Sequence, residues 1–150
     1  RSNLPGLRSG FVAGGVQSIA QIRKLRSFAG APLPLPVQRV SEAAWADEAH
    51  VQANLALYHE KFRIASDVFS GVQGFQNPEG GFFLWLPCED GEAAALKLWT
   101  TAGVRVLPGA YLSRDVAGEN PGKGYIRVAL VAPAEETRRG LIRLRDCLYG

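Results

Sequence analysis

The chain has 150 residues, 47% of them hydrophobic and 21% charged, an ordinary composition for a globular protein with room for a real core. Its net charge is only +3, without a run of like charges, which excludes a nucleic-acid or membrane-surface protein built on a basic patch. No apolar run reaches the ~18 residues needed to cross a bilayer. Cys88 and Cys147 each stand alone and offer neither a zinc site nor a redox pair.

The chain opens on Arg1-Ser2-Asn3-Leu4-Pro5-Gly6-Leu7-Arg8-Ser9-Gly10. Pro5-Gly6 is a turn signal, because proline presets φ and glycine accepts positive φ. Arg8 can fork two donors onto an oxyanion, with the Ser9 hydroxyl and the small Gly10 beside it. A phosphate is the natural ligand of such a turn, and an ordinary surface turn with a solvated arginine is the competing reading. Residues 11–13 are short and apolar and end at Gly14-Gly15, which predicts a strand. Val16, Ile19, Ala20, Ile22, Leu25 and Phe28 then recur near helical spacing up to Gly30, which predicts a helix over 16–28. The cluster Arg23-Lys24-Leu25-Arg26 falls on that helix and reads as a solvated face.

Three alternating prolines at 32, 34 and 36 make a stiff connector, with Pro36 placed to start a helix running to about Trp45. Asp47 can cap the next helix. From 48 to 69 the apolar positions Val51, Leu55, Tyr58, Phe62, Ala65 and Phe69 give the strongest helical pattern in the chain. His50 and His59, nine apart, lack an acid at metal-ligand spacing and read as structural or surface residues. The run 82–86, five large apolar residues, predicts a strand buried on both faces. A helix over 91–102 follows, with Ala95, Leu98, Trp99 and Ala102 inward and Gly103 as its stop. Strands are predicted at 104–107 and 125–131, the second with Ile126, Val128 and Leu130 on one face and Tyr125, Arg127 and Ala129 on the other. A last helix starts at Pro133, with Glu135 and Glu136 in its favourable first turn. The sum is an α/β chain whose later part is a two-layer domain of about three strands covered by helices.

The opening run resembles the segment that follows the cofactor lysine in class I/II aminotransferases, where the pattern is Arg-Ser-Asn-x-Pro-Gly-x-Arg-x-Gly. Three further runs fit the same family in order. Pro78-Glu79-Gly80-Gly81-Phe82-Phe83-Leu84-Trp85 is similar to its Pro-x-Gly-Gly-Phe-Phe-x-Trp strand. Gly103-Val104-Arg105-Val106-Leu107-Pro108-Gly109 is similar to its Gly-Val-x-Val-x-Pro-Gly turn. Tyr125-Ile126-Arg127-Val128-Ala129 resembles the strand whose arginine grips the substrate α-carboxylate. The resemblance covers essentially the whole chain. Within the family, residues 118–133, 44–51 and 57–62 are most similar to N-succinyldiaminopimelate aminotransferases.

The resemblance implies the carboxy-terminal portion of a fold type I enzyme that uses pyridoxal 5'-phosphate. Residues 1–45 would end the large cofactor-binding domain, and 46–150 would form the small domain. Arg8 would hold the cofactor phosphate, and Arg127 the substrate carboxylate. The lysine that binds the cofactor would lie immediately before Arg1. No catalytic residue is then expected within these 150 residues, since Lys24, Lys61, Lys97 and Lys123 are wrongly placed to replace it, and no metal is expected. The 150-residue chain alone would be inactive. The parent enzyme would move an amino group between glutamate and an N-succinyl keto-dicarboxylate in lysine biosynthesis. It would be a cytoplasmic homodimer acting on small amino-acid and keto-acid substrates, with no nucleic-acid or membrane partner. Other amino-acid aminotransferases, a fold type I lyase or decarboxylase, and a non-catalytic binding domain remain as alternatives.

Overall fold

The computed structural model describes residues 4–150; Arg1, Ser2 and Asn3 of the opening motif lie outside the described residues. The chain divides into two compact units, Arg1–Asn54 and Leu55–Gly150.

In the first unit a 3-10 turn, Pro5–Leu7, leads to helix α1 (Val16–Phe28) and helix α2 (Leu35–Ala46). Gly30 takes φ +89 just past the end of α1, the left-handed stop that its position predicts. The proline connector is tied to α2 by the Gln38 amide, which donates to the Leu33 carbonyl at 2.6 Å. Helix α2 begins at Leu35 rather than Pro36, and Pro36 sits in its first turn, where a missing N–H costs nothing. The strand expected at 11–13 does not form among the described residues. An isolated extended segment has no ladder without a neighbour to take its N–H and C=O groups. Phe11 and Val12 are 74% and 64% exposed, and the Phe11 ring sits edge-on to Trp45 at 5.0 Å.

Helix α3 (Ala49–Val68) contains the division between the units. Asp47 caps it as expected: one carboxylate oxygen accepts from the Ala49 N–H at 2.9 Å, and the other pairs with His50 Nδ1 at 2.9 Å. The bond to His50, then that to Ala49, holds the Asp47 carboxyl below the usual carboxylate range. His50 thus has an acid three residues upstream, as a capping partner rather than a co-ligand.

The second unit contains strand β1 (Phe83–Pro87), helix α4 (Gly91–Lys97) with a π turn over Leu98–Ala102, strand β2 (Leu107–Pro108), strand β3 (Tyr125–Ala129) and helix α5 (Ala134–Leu148). The sheet order is β1-β3-β2 with both pairings antiparallel. One face of the sheet is sealed. Leu84, Leu86, Ile126 and Val128 join Phe62 and Ala65 of α3, Phe69 just after it, Leu98, and Leu141 and Leu144 of α5 in one core. Each fully buried aliphatic side chain of that set contributes about 1.5–3 kcal/mol of transfer free energy. Lys61 is also buried, and its ammonium donates to the Leu130 carbonyl at 3.0 Å, which satisfies a charge that would otherwise be costly.

Three sequence expectations are corrected here. β1 is not buried on both faces: Leu84 and Leu86 point into the core, but Trp85 between them is 40% exposed. The strand expected at 104–107 keeps only Leu107–Pro108, because Val104 donates its N–H back to Leu98 at 3.1 Å and ends the helix instead. Trp99 is not on the inner face of its helix. Ala94 and Leu98 carry the buried stripe at a spacing of four, and Trp99, about 100° further round, is 53% exposed and carries the Arg105 guanidinium at 5.0 Å from its ring.

Two glycines bring the segments beside the sheet together. A Cβ on Gly122 would overlap the Ser113 hydroxyl and the Gly109 carbonyl, and one on Gly109 would overlap the Gly122 carbonyl and lie 2.8 Å from the Trp85 ring. Gly122→Ala should therefore destabilise the protein by about 3 kcal/mol, an overpacking cost with backbone on the other side of the clash. Calorimetry should show a midpoint lowered by several degrees, and an unchanged midpoint would mean that this junction is loose.

Candidate functional site

Each of the two arginines singled out by the sequence lies in its own unit. Arg8 ends the 3-10 turn in the left-handed region, with φ 51 and ψ 30. The Pro5-Gly6 turn produces this: the Arg8 N–H closes onto the Pro5 carbonyl at 3.2 Å, and one guanidinium N–H donates to that same carbonyl at 3.4 Å. The rest of the guanidinium fork is exposed. Ser9, next in sequence, has a buried hydroxyl with no hydrogen-bond partner. A buried, unpaired hydroxyl is costly and marks a place for a ligand or water.

Arg8 lines a cavity of about 1040 Å³ together with Gly10, Arg23, Arg26 and Ser27. Read from sequence, Arg23 and Arg26 belong to a solvated face; the structure puts both around the cavity that Arg8 lines. Their spacing of three on α1 was the available signal, since it places them on one side of the helix. The three guanidinium groups form a donor set that fits a phosphate dianion, whereas Ser9 lines a separate cavity with Phe11, Gln38 and Trp45.

Arg127 lies at the middle of β3, on the sheet face away from the core. Its register partners are Trp85 on β1 and Leu107 on β2. Ile126, Val128 and Leu130 point into the core, so alternation turns Tyr125, Arg127 and Ala129 outward, as the sequence predicts. Tyr125 stacks on Trp85 with ring centroids 5.5 Å apart. The Arg127 guanidinium lies 4.2 Å from the centroid of the Phe83 ring. Among the described residues no carboxylate pairs with it. A half-buried cation held on an aromatic face, without a counter-charge among the described residues, has the chemistry to take an anion.

Lys61, Lys97, Cys88 and Tyr149 carry no such chemistry. Lys61 and Lys97 donate to the backbone carbonyls of Leu130 and Cys147 at 3.0 and 2.8 Å. Burial, then the charge of Asp90, pushes the Cys88 thiol up, away from the thiolate form needed for nucleophilic attack. Burial, then Cys88, raises the Tyr149 hydroxyl to about 12, and it stays a donor to the Pro87 carbonyl at 2.7 Å. Among the described residues no group of three or more His, Cys, Asp or Glu could hold a metal ion, and no helix is long and apolar enough to cross a membrane.

The family that the opening, strand and turn motifs resemble is also the one that comparison with known proteins finds. The family model for aminotransferase class I and II matches residues 1–144, and the chain belongs to that family, whose members use pyridoxal phosphate. The 4-dedimethylamino-4-oxo-anhydrotetracycline transaminase of Streptomyces rimosus is 34% identical over 146 residues, covering 96% of this chain and 39% of that protein. An aminotransferase from Neisseria meningitidis superposes with a TM-score of 0.85 at 41% identity, covering 97% of this chain and 38% of that one. A probable N-succinyldiaminopimelate aminotransferase from Thermus thermophilus superposes at 0.73 with 26% identity, covering 90% of this chain and 36% of that one. The chain thus spans about two fifths of the length of these relatives, and it has the α/β fold of the matching region of fold type I enzymes.

Proposed function

We propose that the protein containing this chain is a pyridoxal-phosphate-dependent aminotransferase. Its amino donor is glutamate, and its acceptor is a keto-dicarboxylate carrying an N-succinyl group, on the route to diaminopimelate and lysine. Residues 1–45 end its large domain and 46–150 form its small domain, and the enzyme works as a homodimer. The observation that carries this reading is Arg127, a guanidinium on the open sheet face with no carboxylate partner among the described residues.

Bound pyridoxal phosphate supplies an electron sink for the bonds at the substrate α-carbon. The residues of this chain position and hold. Arg8 anchors the phosphate, and Arg23 and Arg26 add positive charge around the same cavity. Arg127 grips the α-carboxylate bidentately and fixes which bonds of the substrate meet the reacting centre. The stacked rings of Trp85 and Tyr125 give that carboxylate an apolar flank.

The acceptor assignment is supported by the likeness of residues 44–51, 57–62 and 118–133 to the succinyl-diaminopimelate enzymes and by the Thermus neighbour. A second reading, an aminotransferase for another acceptor, is supported by the higher identity to the Streptomyces transaminase. To test both, the full-length protein is purified with its cofactor and its visible absorbance is followed on adding glutamate. The succinylated keto acid is then compared with other keto acids by kcat/KM. The proposal expects a cofactor band that responds to glutamate and the highest kcat/KM for the succinylated acceptor. A band that responds with another acceptor preferred would overturn the substrate assignment alone. A protein that binds no cofactor would overturn the whole reading in favour of a binding domain.

A further inference from the structure

We infer that Phe83 is a positioning residue for Arg127, so that carboxylate affinity is set by the electron density of a ring rather than by a second acid. The inference rests on the reading of Arg127 as the carboxylate ligand.

Among the described residues Arg127 has no counter-charge, but it has a contact. Its guanidinium carbon is 4.2 Å from the Phe83 centroid, well inside the range of an attractive cation–π contact. Phe83 is itself held: its ring lies 4.1 Å from that of Phe82, and Phe82 lies 5.8 Å from Tyr58 on α3. At the far end of this aromatic row a second cation, the Lys61 ammonium, sits 5.0 Å from the Tyr58 ring. Lys61 then donates to the Leu130 carbonyl at 3.0 Å, and the Leu130 N–H donates to the Phe82 carbonyl at 2.9 Å. The row therefore closes back on the strand that carries Arg127, and three rings lie between two cations.

This arrangement has a chemical consequence. An arginine paired with a carboxylate is oriented but neutralised, and an incoming substrate must compete with that acid. An arginine laid on a ring is oriented while its charge and its in-plane N–H groups stay available. Without the ring face, the long side chain spreads over several rotamers, and apparent affinity falls by the fraction still in the competent one. The carboxylate is gripped alike before and during reaction. Losing this orientation should therefore raise KM and leave kcat nearly unchanged.

The test uses the full-length holoenzyme. Phe83 is replaced by Leu, by Tyr and by phenylalanines of rising fluorine content, which drain the ring face with little change in shape. Calorimetry gives the affinity for succinate, a carboxylate ligand that carries no amine to transfer, and steady-state kinetics give kcat and KM for glutamate. Phe83→Leu should weaken succinate and raise the glutamate KM by about five- to ten-fold, with kcat changed by less than about twofold. Phe83→Tyr should stay near wild type. Affinity should fall stepwise with fluorination, a response that ring shape alone would not produce. A flat fluorine series overturns the inference, even if Phe83→Leu is impaired or fails to fold. Arg127→Leu is measured alongside. If it abolishes succinate binding while the fluorine series stays flat, only the role of Phe83 fails. If it leaves succinate binding intact, the carboxylate reading of Arg127 fails and this inference fails with it.

Discussion

Replacing Arg127 by Leu in the full-length enzyme should cut kcat/KM for amino-acid substrates by roughly 30- to 3,000-fold, the loss of a part-buried ionic contact of about 2–5 kcal/mol. The strand explains why the effect should be confined to the substrate. The core side of β3 and of the residue after it is carried by Ile126, Val128 and Leu130, all buried, and Arg127 lies on the opposite face. A leucine is shorter but leaves that core packing untouched, so the fold should hold. Arg127→Lys should lose somewhat less, because the charge survives while the planar fork does not. The cofactor absorbance should be nearly unchanged in both variants. The decisive control is an amine substrate without an α-carboxylate, which should react about equally with wild type and Arg127→Leu. If that amine suffers the same loss as glutamate, Arg127 is a structural residue and the carboxylate assignment fails.

How much of this site was legible in the sequence depends on what kind of fact is asked for. Alternation along 125–131 correctly separated Ile126, Val128 and Leu130 from Arg127, since the period of a strand decides the face without knowledge of neighbours. The glycines at 15 and 30 bracketed α1 to the residue, because they act locally. Partners are different. Nothing in the spacing of Phe83 and Arg127, forty-four apart, says that one ring will lie under the other guanidinium; antiparallel register decides that. Lys61 read as one more helix lysine, and only the packing of the second unit shows it buried against the Leu130 carbonyl. The misread strands fail for the same reason. Residues 11–13 and 104–106 have the composition of strands, but a strand is a relation between two segments, and no segment pairs with them among the described residues. Trp99 was misplaced because a large apolar residue was assumed to face inward, although one step of a helix is enough to turn it out.

Arg8→Ala should weaken cofactor retention about ten- to a hundred-fold, the value of a charge-assisted contact of about 1.5–3 kcal/mol, while leaving substrate preference unaltered. Arginine and alanine have the same Cβ, so at φ 51 the substitution adds no new backbone strain and the effect can be assigned to the guanidinium. The loss should stop short of complete because Arg23 and Arg26 line the same cavity and keep it positive. Arg8→Lys should recover part of the affinity, as a point charge without the fork. Raising the ionic strength should reduce the difference between wild type and variant, because the cavity is open to solvent and its field is screened over about 10 Å at 0.1 M salt. The measurement is the fraction of cofactor retained on dialysis, titrated back by absorbance, with the glutamate KM measured on the reloaded enzyme. If Arg8→Ala keeps wild-type cofactor affinity, Arg8 is not the phosphate ligand, and the left-handed turn that presents it is simply the end of the Pro5-Gly6 loop. If cofactor affinity falls and the reloaded enzyme also loses glutamate affinity, Arg8 acts on the substrate as well, and the division of labour between Arg8 and Arg127 fails.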